Sequence, residues 1–319
     1  MDYNKDFESS GAVVSTDNGT KSGFSPKGFL SDMLKGFFMG VAFIIPGFSG
    51  GSVAAILGIY EKLITAIADI FKSFKKSFMT LLPIGLGLVL RVLALLFPLG
   101  WALDAVPLPT VCLFVGLALG GLPSVTDKTR GKILPQNIAA FAIPALVAIA
   151  LCFLPIMEDV NLLALEPWES IILFLVGILG SAALVVPGIS GSMILLILGY
   201  YNPIVNMITD HFLKGRDILT SLLVLGSVGL GICVGFIGIS VIMKFLLARC
   251  PRGTYFAILG FIIGSIPTVY VSTAKDAGLT LATLPSSPWH WIACVLLLAV
   301  GLALSLSLII LSRKRQKAE

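Results

Sequence analysis

One pattern occurs twice in this chain, and it restricts the fold more than any other feature. Residues 33–60 read MLKGFFMGVAFIIPGFSGGSVAAILGIY, and residues 174–201 read FLVGILGSAALVVPGISGSMILLILGYY. Both stretches are apolar, and both carry Pro-Gly near the middle, followed by Ser-Gly and a small polar residue. Pro lacks a backbone N–H and Gly weakens a helix, so PGFSGG and PGISGS are expected to break each helix at mid-depth. Each stretch then reads as two half-helices. Pairing Pro46 with Pro187 sets an offset of 141, at which 12 of the 34 positions from 36 to 69 are identical to those from 177 to 210. The repeat continues past the interruption: FVGLALGGLPSV at 114–125 matches ILGFIIGSIPTV at 258–269, at an offset of 144. The chain is an internal duplication of about 140 residues.

Composition fixes the solvent. Hydrophobic residues make up 57% of the 319 and charged residues 12%, with a mean hydropathy of +1.00. Soluble domains run near 45–50% apolar and about 25% charged. A soluble enzyme with a peripheral anchor is excluded. With about 20 apolar residues per span, the region from 30 to 312 has room for roughly eight to ten hydrophobic segments. Plain apolar stretches occur near 78–100, 108–125, 133–155, 217–247, 254–271 and 289–312. The fold class is therefore an all-α integral membrane protein, with about six full spans plus two re-entrant helical hairpins. The 33 Gly and 17 Pro point to close packing and broken helices.

Charge in short loops sets the topology, because Lys and Arg accumulate on the cytoplasmic side. If each interrupted stretch enters and leaves by one face, 18 basic residues lie inside: the two tails and the loops at 61–77, 126–132 and 244–252. Lys214, Arg216 and Lys275 remain outside, and Arg91 lies within a span. A single crossing at each interruption would scatter basic loops over both faces. Trp101, Trp168, Trp289 and Trp291 then fall at the outer ends of spans, where Trp prefers the interface. The two repeats have opposite orientation, which is the architecture of alternating-access transporters.

The domain reading follows. Residues 1–27 are a polar, disordered cytoplasmic tail without the early apolar run of a signal peptide. Residues 28–155 are the first membrane repeat, with a re-entrant hairpin at 33–60 and three spans. Residues 168–312 are the second, with a hairpin at 174–201 and three spans, and 313–319 form a basic cytoplasmic tail. The net charge of +5 lies in short loops, which gives no nucleic-acid signal. The five cysteines show no CxxC pair, so neither a disulfide nor a zinc site is expected. No HExxH, Walker loop, GxSxG or acidic metal cluster occurs, so no catalytic residue, metal or cofactor is assigned.

The interruptions are the candidate binding site. A half-helix that starts at mid-membrane presents unpaired N–H groups and a partial positive charge. The donors fall near Gly50, Gly51 and Ser52, and near Gly191, Ser192 and Met193. Ser49, Ser52, Ser190 and Ser192 add hydroxyls, and glycine lets a ligand approach the backbone. Such tips suit an anionic oxygen cluster, above all a phosphate; the competing reading is tight helix packing by Gly and Ser. Arg91 either supplies charge to the anion or snorkels to the outer face. Glu61, Asp69 and Asp210 are candidates for ion coupling, or mark where amphipathic segments meet water.

At these residues the chain resembles a known family. KGFFMG, IIPGFSGGSVAAILGIYEKL and VVPGISGSMILLILGYY are similar to the bacterial membrane proteins grouped as domain of unknown function 368, and the likeness extends from Lys35 to the last span. The resemblance implies a carrier, or flippase, that returns undecaprenyl phosphate from the outer to the inner leaflet of the bacterial cytoplasmic membrane, in support of cell-wall biogenesis. It implies polyprenyl phosphate and membrane lipid as partners. It marks the PGFSGG and PGISGS tips, including Gly47 and Gly188, as candidates for holding the phosphate. The chain departs from that pattern at Phe43, Ser52 and Asn202. Two alternatives stand: a polyprenyl-pyrophosphate phosphatase, whose tip Arg is here replaced by Gly50 and Gly191, and an ion-coupled carrier of a small soluble anion.

Overall fold

A computed structural model describes residues 26–40, 50–151, 153–164, 166–276 and 288–316. Gly47 and Ser49 of the first tip, with most of the N-terminal tail, lie outside the described residues. The described chain is helical, and the protein is an all-α integral membrane protein.

Before the segment that joins the repeats come α1 (Pro26–Met39), α2 (Gly50–Ile56), α3 (Tyr60–Ala68), α4 (Phe74–Ala105), α5 (Pro107–Thr126) and α6 (Pro135–Leu151). After it come α7 (Ser170–Val185), α8 (Gly191–Ile197), α9 (Tyr201–Asn206, extended by a π-helical turn over Met207–Phe212), α10 (Ile218–Arg249), α11 (Pro251–Asp276) and α12 (Pro288–Gln316). Each apolar stretch seen in the sequence lies at a helix, and α4 and α10 each run for 32 residues.

Two features differ from the sequence reading. The 61–77 segment is not a plain loop, because α3 occupies Tyr60–Ala68 and α4 begins at Phe74. Its apolar residues recur at helical spacing, and Tyr60, Ile64 and Ile67 are buried. Each interrupted stretch also has a second break beyond Pro-Gly. Gly58 (φ +69°) ends α2 and Gly199 (φ +73°) ends α8, a left-handed conformation that glycine adopts without steric cost. The second break turns the chain by 108° between α8 and the α9 segment.

Among the described residues, four helices have the length and apolarity to cross a membrane, Pro107–Thr129, Ile218–Arg249, Pro251–Val271 and Pro288–Ser307; Gly191–Ile197 with Tyr201–Phe212 is an apolar pair bent like a broken span or a re-entrant loop. The apolar helix α6 is shorter, at 17 residues.

Glycine decides which helices touch. A methyl group on Gly116 would come within 2.1 Å of Leu298 O, and one on Gly301 within 2.0 Å of Leu113 O, so α5 and α12 meet backbone to backbone. Gly260 and Gly264 bring α11 against Phe141 and Ala145 of α6, and Gly177 and Gly231 do the same for α7 and α10. Gly36 and Gly87 join α1 to α4. Gly116 meets Leu298 and Gly120 meets Leu302, Gly36 meets Ile84 and Gly40 meets Leu88, and Gly231 meets Phe174 and Gly235 meets Ile178, so the paired numbers rise together, as they do for α6 and α11, and every pair is parallel. Lipid offers no hydrophobic drive for helix association, and small residues permit the close van der Waals packing that replaces it.

α5 pairs with α12 and α6 with α11, so both contacts join the two halves of the chain. The main core lies where α2, α3, α5 and α11 converge, around Tyr60, Val111, Phe114, Ile258 and Ile262.

Candidate functional site

The two interruptions come together. A methyl group added to Gly51 would lie 2.9 Å from Val185 O and 3.2 Å from Pro187 N, so the start of α2 abuts the second Pro-Gly break. Only glycine permits that approach. Tyr60, 2% exposed, reinforces the contact: its hydroxyl donates to Val185 O at 3.0 Å. A narrow cavity beside them is lined by Met39, Gly50, Gly51, Tyr60, Val185 and Phe236, among others.

The described part of the first tip is buried. All seven residues of α2 are buried, including Gly50, Gly51 and Ser52. The Ser52 hydroxyl is buried and has no hydrogen-bond partner. An unsatisfied buried hydroxyl costs about 1–3 kcal/mol.

The second tip is more open. Gly191 is the one buried residue of α8. Gly188 holds φ +88°, and a methyl group there would come within 2.4 Å of the Phe261 backbone, so this tip leans on α11. Ser190 precedes α8, is 7% exposed and pairs with Ser192 at an Oγ–Oγ distance of 2.9 Å. The Ser192 side of the pair is exposed. The backbone N–H groups of Gly191, Ser192 and Met193 open α8 and have no acceptor four residues upstream within the helix.

Arg91 belongs to the α1–α4 face. Its guanidinium carbon sits 4.5 Å from the Phe37 ring centroid, a cation–π contact. Its Cβ lies 2.9 Å from where a methyl on Gly40 would be, which puts it level with the chain as it enters the first interruption. Its Nε is buried and has no hydrogen-bond partner.

The acidic residues separate into two groups. Glu61 accepts a short hydrogen bond from the Tyr255 hydroxyl and lies 3.7 Å from Lys128 Nζ. Asp69 forms an ion pair with Lys244. Asp210 instead pairs with Lys214, four residues along its own segment. His211 contacts Asp217 at 3.0 Å. Sequence reasoning singled out neither Tyr60 nor Tyr255 nor Lys244. For Tyr60 there was a signal, since Tyr201 repeats it 141 positions later. The other two lie far from their partners in sequence and carry no local signature.

Among the described residues, no group of His, Cys, Asp and Glu is placed to hold a metal ion. Cys112, Cys233, Cys250 and Cys294 are free thiols.

Residues 39–283 match the family described as VCA0040-like, undecaprenyl phosphate translocase-like. A polyprenyl-phosphate transporter of Staphylococcus aureus is 30% identical over 282 residues, covering 87% of this chain and 95% of that protein. A polyprenyl-phosphate transporter of Vibrio cholerae is 28% identical over 319 residues, covering 88% of this chain and 96% of that protein. No solved structure matches the chain.

Proposed function

The chain belongs to the undecaprenyl phosphate translocase-like family, and we propose that it carries a polyprenyl phosphate, undecaprenyl phosphate in the first instance, across the bacterial cytoplasmic membrane. The observation that carries the reading is the meeting of two duplicated Gly-Ser interruptions at Gly51 and Val185–Pro187, with the Ser52 hydroxyl buried and unpartnered beside them. The relatives' names supply the substrate class, and the tips supply chemistry suited to its phosphate.

The phosphate sits between Gly47, Ser49, Gly50, Gly51 and Ser52 of the first tip and Gly188, Ser190, Gly191 and Ser192 of the second. Hydroxyls and backbone N–H groups donate to its oxygens, and Arg91 offsets its charge from the α4 side. Only the headgroup enters the protein. The exposed side of α8 leaves a route by which a long prenyl tail stays in lipid, and burying such a tail would need a far larger cavity than the one at the tips. Both termini and the 126–132 and 244–252 loops face the cytoplasm, as the basic residues require. Transport runs from outer to inner leaflet, which recycles the carrier lipid. The chain is a transporter rather than an enzyme: Gly50 and Gly191 stand where a phosphatase tip would need a cation to stabilise a leaving phosphate.

Lipid analysis of the purified protein, followed by titration with undecaprenyl phosphate, tests this reading. A polyprenyl phosphate should co-purify, and Ser52→Ala should weaken binding by roughly tenfold, as expected for a lost hydrogen bond to a charged group. Absence of bound lipid together with equal affinity for a phosphate-free polyprenol would defeat it. Phosphate release from a polyprenyl pyrophosphate would favour the enzyme instead.

A further inference from the structure

Three polar contacts gather near the Thr126 end of α5, and each joins one half of the chain to the other. Asp69, just past α3, pairs with Lys244 of α10. Glu61 of α3 accepts from Tyr255 of α11 and faces Lys128, whose ammonium lies 5.8 Å from the Tyr255 ring centroid. Arg252, near the start of α11, donates from Nε to Thr129 O at 3.2 Å. The first interruption lies inward of these contacts, with α2 wholly buried.

The other half of the duplication lacks this set. At the offset of 141, Glu61 corresponds to Asn202, which donates to Asp159 in the connecting segment at 3.2 Å and 3.3 Å. Asp69 corresponds to Asp210, whose cation Lys214 belongs to its own segment. At the offset of 144, Lys244 corresponds to Gly100 and Tyr255 to Val111. The second interruption is correspondingly less covered, since Gly191 is the buried residue of α8. The duplication kept its helices and tips but not the polar side chains that tie α3 to α10 and α11.

We propose that Asp69–Lys244 and Glu61–Tyr255, with Lys128, form a one-sided latch that holds the cytoplasmic end of the carrier shut, and that its release opens the first tip to the cytoplasm. The proposal rests on the alternating-access reading above. Its chemistry suits a reversible closure. The Asp69 and Lys244 side chains are 24% and 39% exposed, and pairs that water reaches contribute little net free energy. Such a latch biases an equilibrium between two arrangements without locking it. The described structure is the latched arrangement, closed at α2 and open at α8. The acids Glu61 and Asp69 act by holding the two halves together, so neither needs to bind a coupling ion.

The test uses the full chain with its native cysteines replaced and Ile64→Cys introduced. Ile64 is 1% exposed and lines the cavity beside Gly50 and Gly51. Inside-out membrane vesicles are treated with a membrane-impermeant maleimide, and the labelling rate is measured. The latched parent should label slowly. Asp69→Asn and Lys244→Met should each raise the rate by up to about fivefold, the scale of a lost partly exposed ion pair. Tyr255→Phe, which removes one hydroxyl and little volume, should raise it by a smaller factor. The exchange Asp69→Lys with Lys244→Asp should return it toward the parent rate. Equal labelling in the parent and both single variants overturns the latch, and so does an exchange that labels as fast as the single variants. The readout needs no substrate. Faster labelling in a protein that does not bind polyprenyl phosphate keeps the latch and sinks the substrate reading. Normal binding with unchanged labelling does the reverse.

Discussion

The Tyr60 hydroxyl donates to the main-chain oxygen of Val185 across 125 residues of sequence, at 3.0 Å and in a buried setting. That bond ties the start of α3 to the residue two before Pro187, and so fixes one interruption against the other. Gly51 meets the same carbonyl region from α2. The two halves of the duplication thus touch at the sites where each helix is broken.

Tyr60→Phe should show what this bond contributes. It leaves Val185 O without that donor at little change in volume, and the expected loss is about 1 kcal/mol of stability, with slower transport. Tyr201, its counterpart, is 39% exposed, so Tyr201→Phe should be nearly silent. Thermal unfolding and transport in proteoliposomes measure both. Equal effects from the two substitutions would show that Tyr60 has no special place in the contact.

Gly188→Ala is expected to be severe, because two costs combine. The φ of +88° disfavours any side chain, and the new methyl group would overlap the Phe261 backbone at 2.4 Å. A loss above about 2 kcal/mol follows if α11 does not move. Gly229→Ala is the control, since its added methyl meets nothing within 4 Å and alanine is the better helix former. Gly188→Ala should fail to accumulate as a monodisperse protein while Gly229→Ala accumulates normally. Similar yields and melting temperatures for the two would refute the packing argument.

Much of the fold was legible in the sequence because its determinants are local and repeated. Apolar length places α5, α10, α11 and α12, and the second Pro-Gly pair, Pro187–Gly188, marks where α7 stops. The second break was harder to see. Gly58 and Gly199 match across the duplication, but glycine inside an apolar run reads equally well as a packing residue, and Gly116 and Gly260 are such residues. α3 was hidden by its charges: Glu61 and Lys62 suggest a loop, while the buried stripe of Tyr60, Ile64 and Ile67 emerges only when α10 covers it. The partners of Glu61 and Asp69 lie 194 and 175 residues away. No spacing rule connects such positions.

The orientation of the whole assembly rests on loop charge and can be measured directly. In a background without native cysteines, a cysteine at 76 should be shielded from an impermeant reagent applied outside intact cells, and one at 214 should react. Lys76 lies in the first turn of α4 and Lys214 follows the π-helical turn at Met207–Phe212. These sites fall at opposite ends in a chain whose interruptions return to the face they entered. Labelling at 76 without labelling at 214 would reverse the topology and place the latch on the outer face.

Arg91 carries the last prediction, which turns on charge. A phosphate monoester bears roughly −1.5 to −2 charges near neutral pH, and a helix start supplies only about +0.5. Two short tips leave a deficit in a site of low dielectric. Arg91 is suited to reduce it: its Nε is buried without a partner, and the Phe37 ring holds the guanidinium level with Gly40. A planar guanidinium grips phosphate in a bidentate way that an ammonium cannot match. Arg91→Lys should therefore weaken undecaprenyl phosphate binding by about tenfold and Arg91→Leu by about a hundredfold. A residue that only anchors α4 at the interface would give small, similar effects in both variants. Binding titrations on purified protein, normalised to the folded fraction, decide between these. Wild-type affinity in Arg91→Leu would remove the arginine from the site and leave the hydroxyls and backbone of the tips to hold the phosphate alone.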